Sequence, residues 1–97
     1  MTMNPLPLDK ALELYSLLKD YLPDKVDSII ELSDIIMNSI VEKEGFDNYV
    51  KSLSLMSGIP EKILAMRDKN ERVSLFMEGL LVNEVMELKV FCESLGM

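Results

Sequence analysis

The side chains that could do chemistry in this sequence are carboxylates, a small cluster of basic groups and one thiol, because the chain contains no histidine. Without histidine, Ser-His-Asp and Cys-His catalysis and histidine metal sites are excluded. One cysteine cannot form a structural zinc site. The sequence also lacks a glycine-rich phosphate loop, a Gly-x-Ser-x-Gly motif and a kinase motif. We therefore expect a protein that is not an enzyme, with no catalytic residue, cofactor or metal.

The remaining reactive groups have simpler interpretations. Most carboxylates fall on the predicted solvent-facing sides of helices, where Asp and Glu are usually found. The single cysteine, Cys92, lies among apolar positions near the C-terminus. A free cysteine in such a place behaves as a small hydrophobic side chain, so we interpret it as a packing residue.

The basic groups are concentrated in one segment. Residues 60–72 carry four basic and three acidic side chains, and they follow an apolar helical pattern that stops at Gly58. This order fits a helix-turn-helix regulator as an alternative. The contacts with phosphates or bases would then come from Lys62, Arg67, Lys69 and Arg72. A formal net charge of −7 disfavours nucleic acid as a partner, because the chain as a whole repels phosphates.

The negative charge is concentrated in the first half of the chain. Residues 9–47 contain ten acidic and four basic side chains. This imbalance leaves open a third interpretation, an acidic helical inhibitor that occupies a basic surface of a host protein. The single cysteine, the absence of a leader pattern and the absence of a long apolar run lead us to expect a soluble, cytoplasmic protein with no membrane contact.

The hydrophobic spacing predicts an all-α fold, a bundle of four to five helices in one domain over residues 1–97. Two prolines should keep residues 1–7 extended as an N-terminal arm. The first helix should run from Leu8 to Leu22. The second should be capped by Asp24 and be followed by Gly45 in the left-handed conformation.

The second half of the chain should contain three more helices. Asp47 should cap the third, which should end at Gly58. A short fourth helix should span Pro60 to Met66 after the Gly-Pro turn. Asp68 should cap a long final helix that runs to about Leu95, with a glycine at position 79 as its weak point.

The long predicted helices have a second apolar strip beside the one that would face a core. Its members are Leu14, Leu17, Leu32, Ile35, Leu75, Val82, Met86 and Val90. Such residues either pack against each other inside the bundle or a plain homodimer, or they form an interface with a partner's apolar helix. The sequence leaves both possibilities open.

One stretch carries a family resemblance. A Leu-rich helix closes in Ser-Gly, an apolar residue and Pro-Glu, and a final helix follows with an asparagine in its middle. The residues concerned are Leu53, Leu55, Met56, Ser57, Gly58, Ile59, Pro60, Glu61, Phe76, Leu80 and Asn83. Together with the small size and the acidic first half, this order resembles the small helical tail assembly chaperones of long-tailed bacteriophages.

The resemblance implies a function in assembly. Members of that family coat the long helical tape measure protein, help to bring tail tube subunits to it, and self-associate; many are made in short and frameshift-extended forms. The expected partners are therefore a second copy of the chain and an apolar helical protein such as a tape measure protein, in the host cytoplasm. The family has no catalytic residues to transfer.

Overall fold

The chain folds into helices joined by short turns, as its hydrophobic spacing predicts. A computed structural model describes residues 3–97, and within them there are six α-helices and no strand. The helices are α1 (Leu8–Leu18), α2 (Ile29–Glu42), α3 (Phe46–Ser57), α4 (Glu61–Met66), α5 (Lys69–Val82) and α6 (Val85–Ser94), with a 3₁₀ turn at Lys19–Tyr21. The predicted all-α fold is confirmed, with one helix more than expected. The first two residues of the predicted arm, Met1 and Thr2, lie outside the described range.

The connection between α1 and α2 is longer than predicted. The first helix ends at Leu18, and α2 begins only after Ser28, whose hydroxyl accepts a hydrogen bond from the Glu31 amide (3.1 Å). The Glu31 carboxylate in turn accepts from the Asp27 amide (3.0 Å). This reciprocal pair satisfies free amides at the start of the helix. The prediction of Asp24 as the cap was wrong, because the later Ser-x-x-Glu sequence provides the cap.

The turns on either side of α4 follow the sequence closely. Gly58 has φ 75°, in the left-handed region, and ends α3 as predicted. Pro60 precedes the first residue of α4. The carboxylate of Asp68 accepts a hydrogen bond from the Asn70 amide (3.2 Å) and caps α5, which confirms its predicted role. At the start of α3, in contrast, Asp47 lies in the first turn of the helix and the cap position belongs to a glycine.

That glycine, Gly45, does not adopt the predicted left-handed conformation. The left-handed residue is its neighbour Glu44, with φ 53°, whereas Gly45 has φ −91°. What Gly45 provides is space, because a Cβ atom built there would lie 2.7 Å from Cζ of the Tyr21 ring. The turn between α2 and α3 therefore needs glycine for the close approach of an aromatic ring.

The predicted long final helix is divided into α5 and α6. Its backbone passes through Gly79 without interruption and breaks at Glu84, which has φ 46°. Next to the break, the Asn83 side chain donates a hydrogen bond to the Gly79 carbonyl (2.9 Å) and accepts one from the Leu6 amide (2.9 Å). The prediction of one helix was wrong because this asparagine holds the N-terminal arm against the break.

A single core holds the helices together. Helix α3 contacts α1, α2, α4 and α5, while α2 packs on α5 and α6 packs on α1. At the centre, the fully buried Phe76 of α5 meets the Tyr49 ring edge to face, with 4.9 Å between ring centroids. The radius of gyration is 12.5 Å, close to the roughly 13 Å expected for one domain of this length. None of the helices in the described range has both the length and the hydropathy needed to cross a bilayer.

Candidate functional site

The predicted interface residues do not all lie on the surface. Leu14 and Leu32 are 0% and 3% exposed and belong to the core, so the prediction of an interface role is wrong for these two. The reason is that α1 contacts both α3 and α6, and α2 contacts both α3 and α5, so each helix needs two apolar sides within the chain. The half-buried members are Leu17, Ile35, Leu75, Val82 and Met86. Val90 is 68% exposed.

Two of these residues, Met86 and Val90, line a groove on one face of the molecule. The groove lies between the connection that precedes α2 and the break between α5 and α6. It consists of an inner hollow of about 280 Å³ and an adjoining outer hollow of about 520 Å³, and both are lined by Val26, Asp27, Met86 and Glu87. We call this surface the α6 groove. It is lined by residues 24–29, 32, 80, 81, 84–87 and 90.

The α6 groove leaves apolar side chains in contact with water. Leu81 at its inner end is 62% exposed and Val90 at its outer end is 68% exposed, with the half-buried Val26 and Met86 between them. Two exposed apolar residues joined by partly buried ones form a continuous strip. A strip of this kind, set in a hollow, is typical of surfaces that bind another apolar element.

The rim of the α6 groove is acidic. Four carboxylates line it, and Lys25 is the one basic side chain among the lining residues. The acidic members are Asp24, Asp27, Glu84 and Glu87. A hydrogen bond with the Glu84 carboxyl, together with its negative charge, raises the pKa of Glu87. Two carboxyl groups this close favour the approach of a cation.

The outer end of the α6 groove is braced by a lysine. The largely buried Lys89 side chain lies 2.8 Å from the Glu93 carboxylate and 3.6 Å from that of Asp24, which joins α6 to the connection before α2. The hydrogen bond to Glu93 raises the pKa of Lys89, and desolvation opposes this effect. Lys89 therefore stays charged and pairs with Asp24, which is one of the rim carboxylates, and with Glu93, which is not.

The sequence missed most of this groove for a definable reason. With the cap of α2 placed at Asp24, Val26 falls within a predicted helix, and Glu84 and Glu87 fall within a predicted continuous final helix. The Ser28-x-x-Glu31 capping sequence was the signal that places Val26 in a connection instead. No comparable local signal marks the break at Glu84.

The basic residues of the helix-turn-helix alternative lie on three different segments. Lys62 is on α4, Arg67 lies between α4 and α5, and Lys69 and Arg72 are on α5, while α4 itself has only six residues. Arg67 lies 3.6 Å from the Glu71 carboxylate. Arg72 turns inward, donating to the carbonyls of residues 64 and 67. Two of the four basic groups are thus engaged within the chain.

Other candidate chemistry is limited in the part of the chain that the structure describes. Cys92 is 0% exposed, and burial raises the pKa of its thiol, so the thiol stays protonated. Within residues 3–97, no three Cys, Asp or Glu side chains are placed to hold a metal ion. Comparisons of the chain with protein-family models, curated proteins and solved structures find no match.

Proposed function

We propose that this is a non-enzymatic interaction protein that holds an amphipathic, basic helix of a partner in the α6 groove. The observation that carries the proposal is the combination of exposed Leu81 and Val90 with four carboxylates around them. Apolar side chains of the helix would fill the two hollows, and its Lys or Arg residues would face the acidic rim. Charge complementarity of this kind favours basic partners over acidic ones.

The finer part of the proposal is the assembly role of a tail assembly chaperone. The resemblance over residues 53–61 and the acidic character of the chain support it, with the helical tape measure protein as the partner. A long helix with one apolar face needs a cover that stays dispersed in water. A small protein with net charge −7 and an apolar groove meets that need, and self-association would extend the cover along a long helix.

The first test is a neutral polar substitution in the groove, Val90→Asn. The probe is a Lys-flanked amphipathic helical peptide with one Trp, whose fluorescence is unobscured because the protein contains no Trp. We expect Val90→Asn to weaken binding about tenfold, since an amide without a hydrogen-bond partner would be buried against the peptide. Its control is Met66→Asn, which changes an 87% exposed residue on α4 outside the groove and should leave the affinity unchanged.

Equal affinities for wild type and Val90→Asn, or equal losses in the Val90 and Met66 variants, would contradict binding in the groove. The same pair of variants tests the chaperone role when each is co-expressed with a tape measure fragment. Wild type and Met66→Asn should keep the fragment soluble, and Val90→Asn should not. If the peptide binds but no tape measure fragment is kept soluble, the groove remains an interaction site and the chaperone role is wrong.

The second test concerns the acidic rim and its pH dependence. Glu84→Gln with Glu87→Gln should weaken binding of the Lys-flanked peptide roughly two- to fivefold for each carboxylate removed. Because the pKa of Glu87 is raised, its carboxylate becomes neutral at a higher pH than an ordinary Glu. Affinity should therefore be full near neutral pH and fall as the pH drops through that raised pKa, which titrations at a series of pH values will measure.

The control for charge is the pair Asp34→Asn and Glu42→Gln, which neutralises two exposed carboxylates of α2 outside the groove. This pair should change the affinity little. A Ser-flanked peptide with the same apolar face should be insensitive to pH. If the rim variant and the control variant lose affinity equally, the attraction is due to net charge and not to the rim.

A further inference from the structure

The N-terminal arm, described from residue 3, is anchored to the helices at two points. Met3 is only 6% exposed and belongs to the core, and the half-buried Leu6 packs against the same core. The Leu6 amide also donates a hydrogen bond to Oδ1 of Asn83 (2.9 Å). Asn4 and Pro5, between these anchors, are exposed. The described part of the arm is therefore docked on the helices.

The contact between the arm and the helices is incomplete. An open hollow of about 340 Å³ lies where the arm meets the end of α3, lined by residues 3–6 and 55–58. Release of the arm requires the loss of two anchors and not the opening of an interface between helices. Segments with few buried contacts open at a lower free energy than the core. The arm is thus a segment that can leave its place while the helices stay folded.

The break that the arm contacts is unfavourable as a local structure. Glu84 has φ 46°, in the left-handed region, which is costly for a residue with a Cβ atom. Residues 82–87 contain no glycine or proline, so the local sequence favours a helix through them. At the start of α6, the Leu88 amide donates to the Glu84 carbonyl (2.9 Å), and the amides of residues 85–87 have no partner within the helix. Contacts from elsewhere must therefore hold the break.

Those contacts include α1 and the arm. Val85 and Cys92 are buried, and α6 packs on α1. The Asn83 side chain is held from both sides, since its amide group donates to the Gly79 carbonyl (2.9 Å) and its oxygen accepts from Leu6. Without the arm, this half-buried oxygen loses its donor, which is unfavourable. The docked arm therefore favours the broken form over a continuous helix.

We propose that the N-terminal arm is a strap that controls the α6 groove. The inner hollow of the groove spans the break, since its lining includes residues 80 and 81 of α5 and residues 84–87 beyond it. With the arm docked, the break persists and the hollow is formed. With the arm lifted, α5 continues into α6, the hollow is lost and the bound helix is released. The inference rests on the proposed function, because it concerns the regulation of the same groove.

The first test measures binding of the Lys-flanked Trp peptide to full-chain variants that lack one anchor. Met3→Asn removes the buried apolar anchor, and Asn83→Ala removes the acceptor of the Leu6 amide. Each should weaken binding about tenfold, because affinity falls with the fraction of molecules in which the groove is formed. The double variant should lose no more than either single one, since both act through one strap. The matched controls, Met37→Asn and Asn48→Ala, change half-buried residues that do not line the groove and should leave the affinity unchanged.

Amide hydrogen exchange reports the break directly, with or without the peptide. In the free protein, the amides of Met86 and Glu87 should exchange several-fold more slowly in Met3→Asn and Asn83→Ala than in wild type. The reason is that a continuous helix gives these amides the carbonyls of residues 82 and 83. Conversely, saturating peptide should slow exchange of the Leu6 amide by about the factor that Met3→Asn costs in affinity, because coupling between two sites is reciprocal.

Full peptide affinity in both Met3→Asn and Asn83→Ala would overturn the strap, as would equal losses in the control variants. Unchanged or faster exchange of the Met86 and Glu87 amides in both variants would show that the break does not depend on the arm. If Val90→Asn weakens binding and the arm variants do not, the groove binds a helix and the strap is wrong. If wild type does not bind the peptide, the proposed function is wrong, and exchange at Met86 and Glu87 decides the strap alone.

Discussion

Phe76→Ala should lower the free energy of unfolding by about 3–5 kcal/mol, the usual cost of removing a buried aromatic ring. Phe76 is 0% exposed and stands at the centre of α5, where its ring meets the edge of the Tyr49 ring at 73° between planes. A cavity left there has the core on every side and cannot fill with water. In a chain of 97 residues this loss is a large share of the typical total of roughly 5–15 kcal/mol.

Urea denaturation followed by circular dichroism measures the effect, and an unchanged slope would show that the compactness of neither state has altered. The control is Phe91→Ala on α6, the same chemical change at a residue that is 44% exposed, with an expected loss of roughly 1 kcal/mol or less. If Phe76→Ala fails to fold, the loss of unfolding free energy can be measured instead in Phe76→Leu, which keeps most of the side-chain volume. Equal losses of unfolding free energy at positions 76 and 91 would show that Phe76 is not at the centre of the core.

Helical spacing is enough to predict that Phe76 is buried. It is not enough to predict which apolar helix faces contact another helix and which stay exposed. Phe76 and Leu80 are four residues apart, a spacing that puts them on one face of a helix, and both are buried. The same spacing could not tell whether Leu14 would meet a partner or another helix of the same chain. That distinction depends on which helices touch, and α1 is in contact with two of them.

The break between α5 and α6 shows a second limit of sequence reasoning. The apolar pattern continues through residues 82–85, and asparagine in a helix interior is only mildly unfavourable. What stabilises the break is the hydrogen bond between the Asn83 side chain and the Leu6 amide, which joins residues 77 positions apart. No window of local sequence contains both partners, and the inner part of the α6 groove depends on the geometry of this break.

Local turn chemistry was the most predictable part of the fold, although Asp24 and Asp47 do not cap helices as predicted, and the failure at Gly45 is informative. Gly58 and Asp68 act as predicted because each acts on its own backbone or on a neighbour. Gly45 was also predicted to act on its own backbone. Instead, it leaves space for the ring of Tyr21, which lies 24 positions earlier in the chain. A glycine needed for close approach has no local sequence signature. Substitutions can distinguish it from a glycine that is needed for its backbone conformation.

Gly45→Ala should destabilise the protein by about 1–3 kcal/mol, the usual cost of overpacking a core. Its φ of −91° is one that alanine adopts without strain, so the backbone is not the cause. The new Cβ would overlap the hydroxyl oxygen of Tyr21, its nearest neighbour, and would lie 2.7 Å from Cζ and 3.0 Å from Cε1 of that ring, which is only 7% exposed. The Lys43 ammonium lies over that ring, 5.8 Å from its centroid, and donates a hydrogen bond to the Asp20 carbonyl (2.6 Å). The rigid ring has little room to retreat.

A double-mutant cycle with Tyr21 separates this contact from other effects of Gly45→Ala. Tyr21→Phe removes the hydroxyl oxygen, the closest atom, but leaves Cζ in place, so Gly45→Ala should cost less in that background and still be destabilising. Tyr21→Leu removes the far end of the ring, and Gly45→Ala should then be close to neutral or slightly stabilising, since alanine lowers the entropy of the unfolded chain. Gly58→Ala is the contrast, because nothing lies within 4 Å of its Cβ position and its cost should come from the left-handed φ alone, equal in every Tyr21 background. An equal cost of Gly45→Ala beside Tyr21 and beside Leu at that position would mean that the ring is not what requires glycine in this turn.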